Sequence, residues 1–188
     1  MYKKSWIIFY LPVNLIILFF CSVPAFSGTL PAVGSSLPEF KLETPASEQE
    51  KSYLGISGDE KYFSADQLSY RLVLVEILGV YCPKCHIQHP LFNKLFHRIK
   101  KDPDMNKKVK IIGIAAGANP MEIEYLKKQY RIPYPVFTDP KFEIHKILGE
   151  PRTPFTMLVT ENKNIVFARL GIIKDMDKFF LKMKKLVQ

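Results

Sequence analysis

The sequence predicts an α/β sandwich with a mixed central β-sheet flanked by helices. Apolar runs without polar alternation, which are typical of strands buried on both faces, alternate along the chain with segments whose apolar residues recur at helical spacing. Near the C-terminus two strand patterns form a hairpin before a closing helix, which favours a mixed sheet over a wholly parallel one. With 47% hydrophobic and 24% charged residues, the 188-residue chain is too apolar to be disordered.

The first 27 residues have the pattern of a secretory signal peptide. Two lysines precede an apolar run from Trp6 to Phe20, and small residues stand at Ala25 and Ser27, before the expected cleavage site. Cleavage would remove Cys21 and leave 161 residues with two cysteines and a net charge of +7. The alternative is an uncleaved anchor, because residues 6–26 are long enough to span a bilayer. We therefore expect a periplasmic or otherwise extracytoplasmic protein, released or held at the inner membrane.

Residues 28–60 are expected to form an extended N-terminal segment that packs on the domain of residues 61–188. An alternating patch at Phe40 and Leu42 indicates an edge hairpin, whereas residues 46–60 are polar and turn-rich. Ser64 and Gln67 stand at the spacing of a capping box, so the domain opens with a capped turn.

Strands and helices then alternate. Phe92, Leu95, Phe96 and Ile99 recur at the spacing of one helical face. The predicted elements are, in chain order, a strand at 72–78, a helix at 82–101, a strand at 109–116, a helix opened by Asn119, Pro120 and Glu122, a short strand at 135–138, a short helix at 141–148, a hairpin of 155–160 with 165–170, and a helix at 176–187.

Cys82 and Cys85 form a C-x-x-C pair where the first buried strand gives way to the long helix. At a helix N-terminus, free backbone N–H groups and a partial positive charge stabilise a thiolate. The spacing also brings the second sulfur within disulfide reach. The pair can therefore cycle between dithiol and disulfide.

Glu76 is the only charged residue in the strand at 72–78, six residues before Cys82. Burial should raise the pKa of this carboxyl and suit it to exchange a proton with the deeper thiol. A core carboxylate paired with a lysine or a backbone donor is the other interpretation.

Three other uses of the cysteine pair are open from these residues alone. A structural disulfide would close so short a loop that it would stabilise little. Zinc could take Cys82, Cys85, His86 and His89, although eight residues are a crowded span for four ligands. The pattern C-x-x-C-H also fits c-type haem attachment.

Four landmarks together resemble the thioredoxin superfamily. They are Glu76, the cysteine pair, Pro90 five residues after the second cysteine, and Thr153-Pro154 before the strand at 155–159. The leader at 33–40 and the approach at 74–78 are most similar to the TlpA/ResA-like exported redoxins. The resemblance implies a thioredoxin-like three-layer sandwich with an N-terminal extension, and it disfavours haem, which explains neither Glu76 nor Thr153-Pro154.

The same resemblance implies a protein-disulfide oxidoreductase with a redox disulfide between Cys82 and Cys85. Cys82 would attack a client cysteine, Cys85 would resolve the mixed disulfide, and Glu76 would move the proton of Cys85. In the substrate-binding role, Thr153 would offer its backbone to an extended client segment, with Pro154 cis.

Three neighbours of the cysteines are expected to tune the site. Pro83 and Lys84 separate the two thiols, and the charge of Lys84 should lower the pKa of Cys82. Tyr81 stands where the family usually has Trp. His86 is expected to be an exposed helix residue without a task, and His89, His97 and His145 are expected to face solvent.

The implied partners are client proteins with cysteines and a membrane electron donor of the thiol-reducing type, with the protein acting as the reductant. We expect a monomer with no cofactor, no metal and no nucleic acid. Two alternatives are a peroxiredoxin-like peroxidase and a thiol-based copper chaperone. A peroxidase of that type needs Thr or Ser three residues before its cysteine, where this chain has Gly79.

Overall fold

The computed structural model describes residues 29–58 and 60–188. The predicted signal peptide, its cleavage site and Cys21 lie outside the described residues. Among the helices that are described, none is long and apolar enough to cross a membrane.

Seven strands and five helices make up the described fold. The strands are β1 (Lys41–Glu43), β2 (Tyr62–Ser64), β3 (Leu72–Leu78), β4 (Val109–Ala116), β5 (Val136–Asp139), β6 (Phe155–Thr160) and β7 (Ile165–Leu170). The helices are α1 (Glu48–Leu54), α2 (Pro83–Lys101), α3 (Pro120–Tyr130), α4 (Glu143–Ile147) and α5 (Met176–Val187), with a 3-10 turn at Ala65–Gln67.

The central sheet has the strand order β5-β4-β3-β6-β7. Strand β3 pairs in parallel with β4 and antiparallel with β6, so the predicted mixed sheet is confirmed. Because β3 and β4 are parallel, they end at the same edge of the sheet, and the loops that open α2 and α3 meet there. This edge brings the cysteine pair beside the start of α3.

Each face of the sheet buries its own apolar cluster. Leu72, Leu74 and Leu78 project from β3 towards α2, α3 and α5, where Phe92 and Phe179 are buried. Val73, Val75 and Ile77 alternate with them towards the N-terminal segment and α4. Burial of β3 on both faces explains its continuous apolar sequence.

The N-terminal segment packs on the second face, but not wholly as the sequence predicts. The alternating patch does form a strand, β1, but its antiparallel partner is β2, which follows α1 in the chain, so the pair is not a local hairpin of the leader; Leu42 opposite Phe63 is buried in the second cluster. Residues 46–60, predicted to be irregular, contain α1, and this expectation was wrong. Ser47 caps the helix by accepting a hydrogen bond from the Glu50 N–H, and Gly55 ends it in a left-handed conformation.

The remaining elements agree with the prediction to within two residues. Helix α4 begins at Glu143, where the prediction began at 141, because the Asp139 carboxylate accepts hydrogen bonds from the N–H groups of Ile144 and His145. Asn119 caps α3 as predicted, because its Oδ1 accepts from the Glu122 N–H. At the predicted capping box of Ser64 and Gln67, Gln67 Oε1 accepts from the Ser64 N–H, while the Ser64 hydroxyl donates to Asp66.

Candidate active site

Cys82 caps the N-terminus of α2. Its backbone is extended (φ −83°, ψ 113°), Pro83 occupies the first helical position, and the Cys85 N–H donates to Cys82 Sγ at 3.4 Å. Proline suits this position because its ring fixes φ near the helical value and it has no N–H to leave unpaired. The sulfur is partly exposed and lies where the helix dipole favours negative charge.

The thiol of Cys82 is the more acidic of the two. Partial burial raises its pKa, but hydrogen bonds from the Cys85 thiol, from Thr153 and from two backbone amides outweigh burial and lower the pKa below its usual range. One of those amides belongs to Lys84, whose ammonium is exposed. Cys82 is thus a thiol that is readily ionised and open to solvent.

Cys85 has the opposite character. It is fully buried in the first turn of α2, and both cysteines are free thiols in this structure. Burial raises the pKa of Cys85 strongly, and the neighbouring sulfur of Cys82 and the negative charge of Glu76 raise it further. Cys85 therefore stays protonated until a base removes its proton.

Glu76 lies on the face of β3 that α2 covers, and its side chain is fully buried. Burial raises the pKa of its carboxyl to about 8; the hydroxyl of Tyr134 offsets part of this rise, and the charge of Cys82 adds to it. Among the described residues, no group makes a hydrogen bond to either carboxyl oxygen. The carboxyl can thus gain or lose a proton near neutral pH beside two sulfurs.

Two polar residues near Glu76 were missed from the sequence. Thr156 stands directly opposite Glu76 on β6, and Tyr134 lies in the loop before β5; both are buried, and neither hydroxyl has a hydrogen-bond partner among the described residues. The pattern Pro133-Tyr134-Pro135 gives no periodic signal for burial. Only the strand register brings Thr156 to Glu76.

Thr153 and Pro154 come beside the cysteine pair at the start of β6. The peptide bond between them is cis, as the resemblance implied. The Cys82 thiol donates to the Thr153 carbonyl oxygen at 3.4 Å. A Cβ at Gly79 would lie 3.3 Å from Thr153 Oγ1 and 3.4 Å from Cys82 Cβ, so three segments meet closely at this glycine.

An exposed apolar surface adjoins Cys82. Tyr81, Met121 and Tyr125 are 77%, 77% and 62% exposed and line a depression of about 380 Å³. The Tyr81 hydroxyl donates to Glu122 at 2.8 Å, and the other Glu122 oxygen accepts from the Asn119 N–H. The cap of α3 therefore also fixes the tyrosine beside the reactive sulfur.

The histidines of α2 differ from expectation. His89 was expected to face solvent, but it is fully buried with its ring 5.0 Å from that of Tyr130, and burial lowers its pKa to about 4. His86 is only partly exposed: it stacks on Tyr130, and its Nε2 lies 2.7 Å from the Val80 carbonyl oxygen. The contact of α2 with α3 buries this side of the helix, which its sequence did not indicate. Of the other two, His97 is exposed and His145 is partly buried, with Nε2 3.0 Å from the Pro151 carbonyl oxygen.

The zinc and haem alternatives have little support in the geometry of this site, whereas a copper site made by the two thiols alone is a separate case. Within residues 29–58 and 60–188, no three His, Cys, Asp or Glu side chains converge as metal ligands. The contact of His86 Nε2 with Val80 also leaves the ring turned towards the protein, whereas a haem ligand must turn that nitrogen to the iron.

The comparisons with known proteins point to one family. The redoxin family model matches residues 32–179. The thiol-disulfide oxidoreductase ResA of Halalkalibacterium halodurans is 25% identical over 105 residues, which are 56% of this chain and 57% of that protein. The chain thus spans a little over half the length of this curated relative.

Solved structures share the fold at low identity. The thioredoxin domain of a thiol-disulfide oxidoreductase from Bacteroides vulgatus has a TM-score of 0.61 with 18% identity and covers 84% of this chain and 99% of that one. StoA from Bacillus subtilis has a TM-score of 0.56 with 18% identity, covering 84% and 100%. The predicted thioredoxin-like sandwich is confirmed.

Proposed function

Because the chain belongs to the redoxin family, we propose that it is a thiol-disulfide oxidoreductase that exchanges its Cys82–Cys85 dithiol or disulfide with cysteines of client proteins. One observation carries the proposal: a partly exposed thiol of lowered pKa caps α2, and a buried thiol of raised pKa follows it one turn later. Such a pair divides attack and resolution between two sulfurs.

In the reducing direction, the Cys82 thiolate attacks one sulfur of a client disulfide. A Cys82–client disulfide forms, and the other client sulfur leaves as a thiolate and takes a proton from water. Cys85 then loses its proton and attacks Cys82 Sγ, so the bond to the client breaks and the second client thiolate leaves. The protein ends with a Cys82–Cys85 disulfide and the client with two thiols.

Glu76 is the base for the second step. Its negative charge already interacts with Cys85, and its pKa of about 8 lets it accept the Cys85 proton at neutral pH in the fraction of molecules where it is ionised. In the oxidising direction the protonated carboxyl returns that proton. Tyr134 and Thr156 surround this exchange with buried hydroxyls.

The client segment lies across Thr153 and the apolar surface beside Cys82. The backbone of Thr153 offers hydrogen bonds to an extended chain, and any protein joined to Cys82 covers Tyr81. Large exposed apolar side chains at Tyr81, Met121 and Tyr125 fit a protein client better than a small hydrophilic thiol.

The direction of exchange is reduction, with electrons supplied by a membrane donor of the thiol-reducing type. Resemblance to the TlpA/ResA-like redoxins supports this direction, and so does the strongly raised pKa of Cys85, which limits thiolate stabilisation to Cys82. The signal peptide pattern of residues 1–27 supports an extracytoplasmic place, where clients carry disulfides.

The test is to trap clients on the full-length chain with Cys85→Ser in cells of the source. Without the resolving thiol, mixed disulfides through Cys82 should accumulate and disappear on reduction. The matched control is Cys82→Ser, which keeps one thiol but removes the accessible one and should trap nothing. Equal trapping by both variants, or none by either, contradicts the proposal.

Assays on the purified protein test the two competing functions. Consumption of peroxide coupled to a thiol reductant would favour a peroxidase, although a Thr or Ser at position 79 would crowd Thr153 and Cys82. Stoichiometric retention of copper by the reduced protein, without client trapping, would favour a thiol-based chaperone.

A further inference from the structure

A basic groove lies away from the cysteine pair, between α1, α2, the start of β4 and α3. It has a volume of about 1440 Å³, and Tyr53, Lys100, Lys107 and Lys110 are among the residues that line it. Lys110 is the second residue of β4, so it stands at the end of the strand opposite to the edge that carries Cys82. The thiol chemistry therefore makes no use of this groove.

Tyr53 forms the floor of the groove at a free edge of the sheet. Strand β5 pairs with β4 only from Gly113 onwards, so the Ile111 backbone lacks a strand partner on that side. The Tyr53 hydroxyl takes the place of a strand: it accepts from the Ile111 N–H at 2.7 Å and lies 3.5 Å from the Ile111 carbonyl oxygen. These contacts hold the ring in a fixed position.

Two ammonium groups converge on that ring. The Nζ atom of Lys110 lies 4.9 Å from the centroid of the Tyr53 ring, and that of Lys100 lies 5.5 Å from it. The face of an aromatic ring attracts cations, but the two ammonium groups also repel each other because their charges are alike. The charge of Lys100 and the burial of Lys110 both lower the pKa of Lys110, burial being the larger cause.

Lys110 has no oppositely charged partner among the described residues. As a whole residue Lys110 is only 9% exposed, its ammonium nitrogen is not enclosed by protein, and no ion pair or hydrogen bond joins it to another of the described residues. Buried lysines are normally paired. The groove does contain two carboxylates, but Glu50 is engaged by Lys127, and Glu124 is exposed on α3 without a contact to either ammonium.

We propose that the groove is an anion site, in which a dianionic phosphate group binds between Lys100 and Lys110 over the Tyr53 ring, with Lys107 at the rim. A dianion matches the two unpaired ammonium groups, whereas a carboxylate or a phosphodiester carries one negative charge. The ligand is free phosphate or the phosphate group of a phosphomonoester. The shared chemistry is a tetrahedral oxyanion with hydrogen-bond acceptors on every side.

The test is calorimetric titration of the full-length chain with inorganic phosphate at constant ionic strength set by sodium chloride. We expect saturable binding with one site per chain. Lys110→Met and Lys100→Met should each weaken binding at least tenfold, because each removes a charge-assisted contact. The control is Lys94→Met, which removes an exposed lysine of α2 outside the groove and should bind as the unchanged chain does.

Two further arms identify the ligand source. Glycerol 3-phosphate, a monoester, should bind within a few-fold of phosphate or more tightly. Glycerophosphoglycerol, the soluble diester of a lipid headgroup, should bind at least tenfold more weakly. Equal binding of the diester overturns the assignment of a dianion, and non-saturable or Lys110-independent binding overturns the site.

Thermal unfolding separates binding from folding. Phosphate should raise the melting temperature of the unchanged chain and of Lys94→Met, but not that of Lys110→Met. In phosphate-free buffer Lys110→Met should melt no lower than the unchanged chain, because the substitution removes an uncompensated charge from a buried place. Lys100→Met, at an exposed residue, tests the site even if Lys110→Met unfolds.

A Cys82→Ser/Cys85→Ser variant should bind phosphate with the same affinity as the unchanged chain. The outcome is therefore independent of the proposed exchange activity.

Discussion

Replacement of Glu76 by Gln should make the stability of the reduced protein less dependent on pH. The substitution keeps the shape of the side chain and removes the only ionisable group of β3. The folded pKa of about 8 lies above the usual 4.5, so the folded state holds its proton more tightly than the unfolded chain does. The stability that this proton gives is complete below pH 4.5 and is lost as pH rises through about 8.

The size of the effect follows from the two pKa values. Each pKa unit corresponds to about 1.4 kcal/mol, so full ionisation of Glu76 costs about 5 kcal/mol of unfolding free energy. Between pH 6 and pH 9 the unfolding free energy of the unchanged protein should fall by about 3 kcal/mol more than that of Glu76→Gln. Most of this additional loss should occur below about pH 8, above which the two pH dependences become parallel.

Urea unfolding of both reduced proteins, measured at intervals between pH 6 and pH 9, gives the two free energies directly. Glu43→Gln, which neutralises an exposed carboxylate of β1, is the matched control and should follow the unchanged protein within a few tenths of a kcal/mol. The buried, unpaired amide of Glu76→Gln will lower its unfolding free energy by the same amount at every pH, so this cost does not alter the pH dependence of the variant. A constant difference across this pH range would refute the assignment of a buried, proton-exchanging carboxyl.

Three other outcomes are expected. Phe92→Ala, at a fully buried residue between α2 and the sheet, should lower the unfolding free energy by about 3–5 kcal/mol, as measured in urea. Asn119→Ala removes the cap of α3 and should lower the unfolding free energy by about 1 kcal/mol. Because the cap also fixes Glu122, which binds Tyr81, the ring NMR signals of Tyr81 should broaden or shift; unchanged signals would show that the cap does not order Tyr81. Iodoacetamide, with the products measured by mass spectrometry, should alkylate Cys82 while Cys85 stays unmodified. The alkylation rate should rise with pH and reach half its maximum below the usual thiol pKa of 9.0. Equal modification of the two cysteines would contradict the division of roles.

Much of the fold can be predicted from local sequence patterns. Strands β3 and β4 have apolar runs that only a doubly covered sheet explains, and the cap at Asn119 is visible in three consecutive residues. Helix α1 was missed although Ser47 and Glu50 stand at capping spacing, because seven mostly polar residues show no apolar face. Its tertiary contact through Leu54 and Tyr53 is what stabilises it.

The candidate site was less completely predictable. Cys82, Cys85 and Glu76 were identified because a C-x-x-C at a helix start and a charge in an apolar strand are unusual in themselves. Tyr134 and Thr156 were not, since a loop tyrosine and a strand threonine are ordinary, and only the packing of β6 and the loop before β5 brings them to Glu76. His89 was misjudged for the same reason, because a helix face is buried or exposed according to which helix crosses it.

The reduction potential of the Cys82–Cys85 couple tests the central claim most directly. Equilibration of the protein with glutathione buffers, followed by quantification of the dithiol and disulfide forms, gives the potential. A reductant that works on client disulfides should have a value near or below the glutathione pool, about −220 mV or lower. A value near about −120 mV, typical of strongly oxidising exported enzymes, would contradict reduction as the direction, and a pair that never forms the disulfide would contradict the exchange itself.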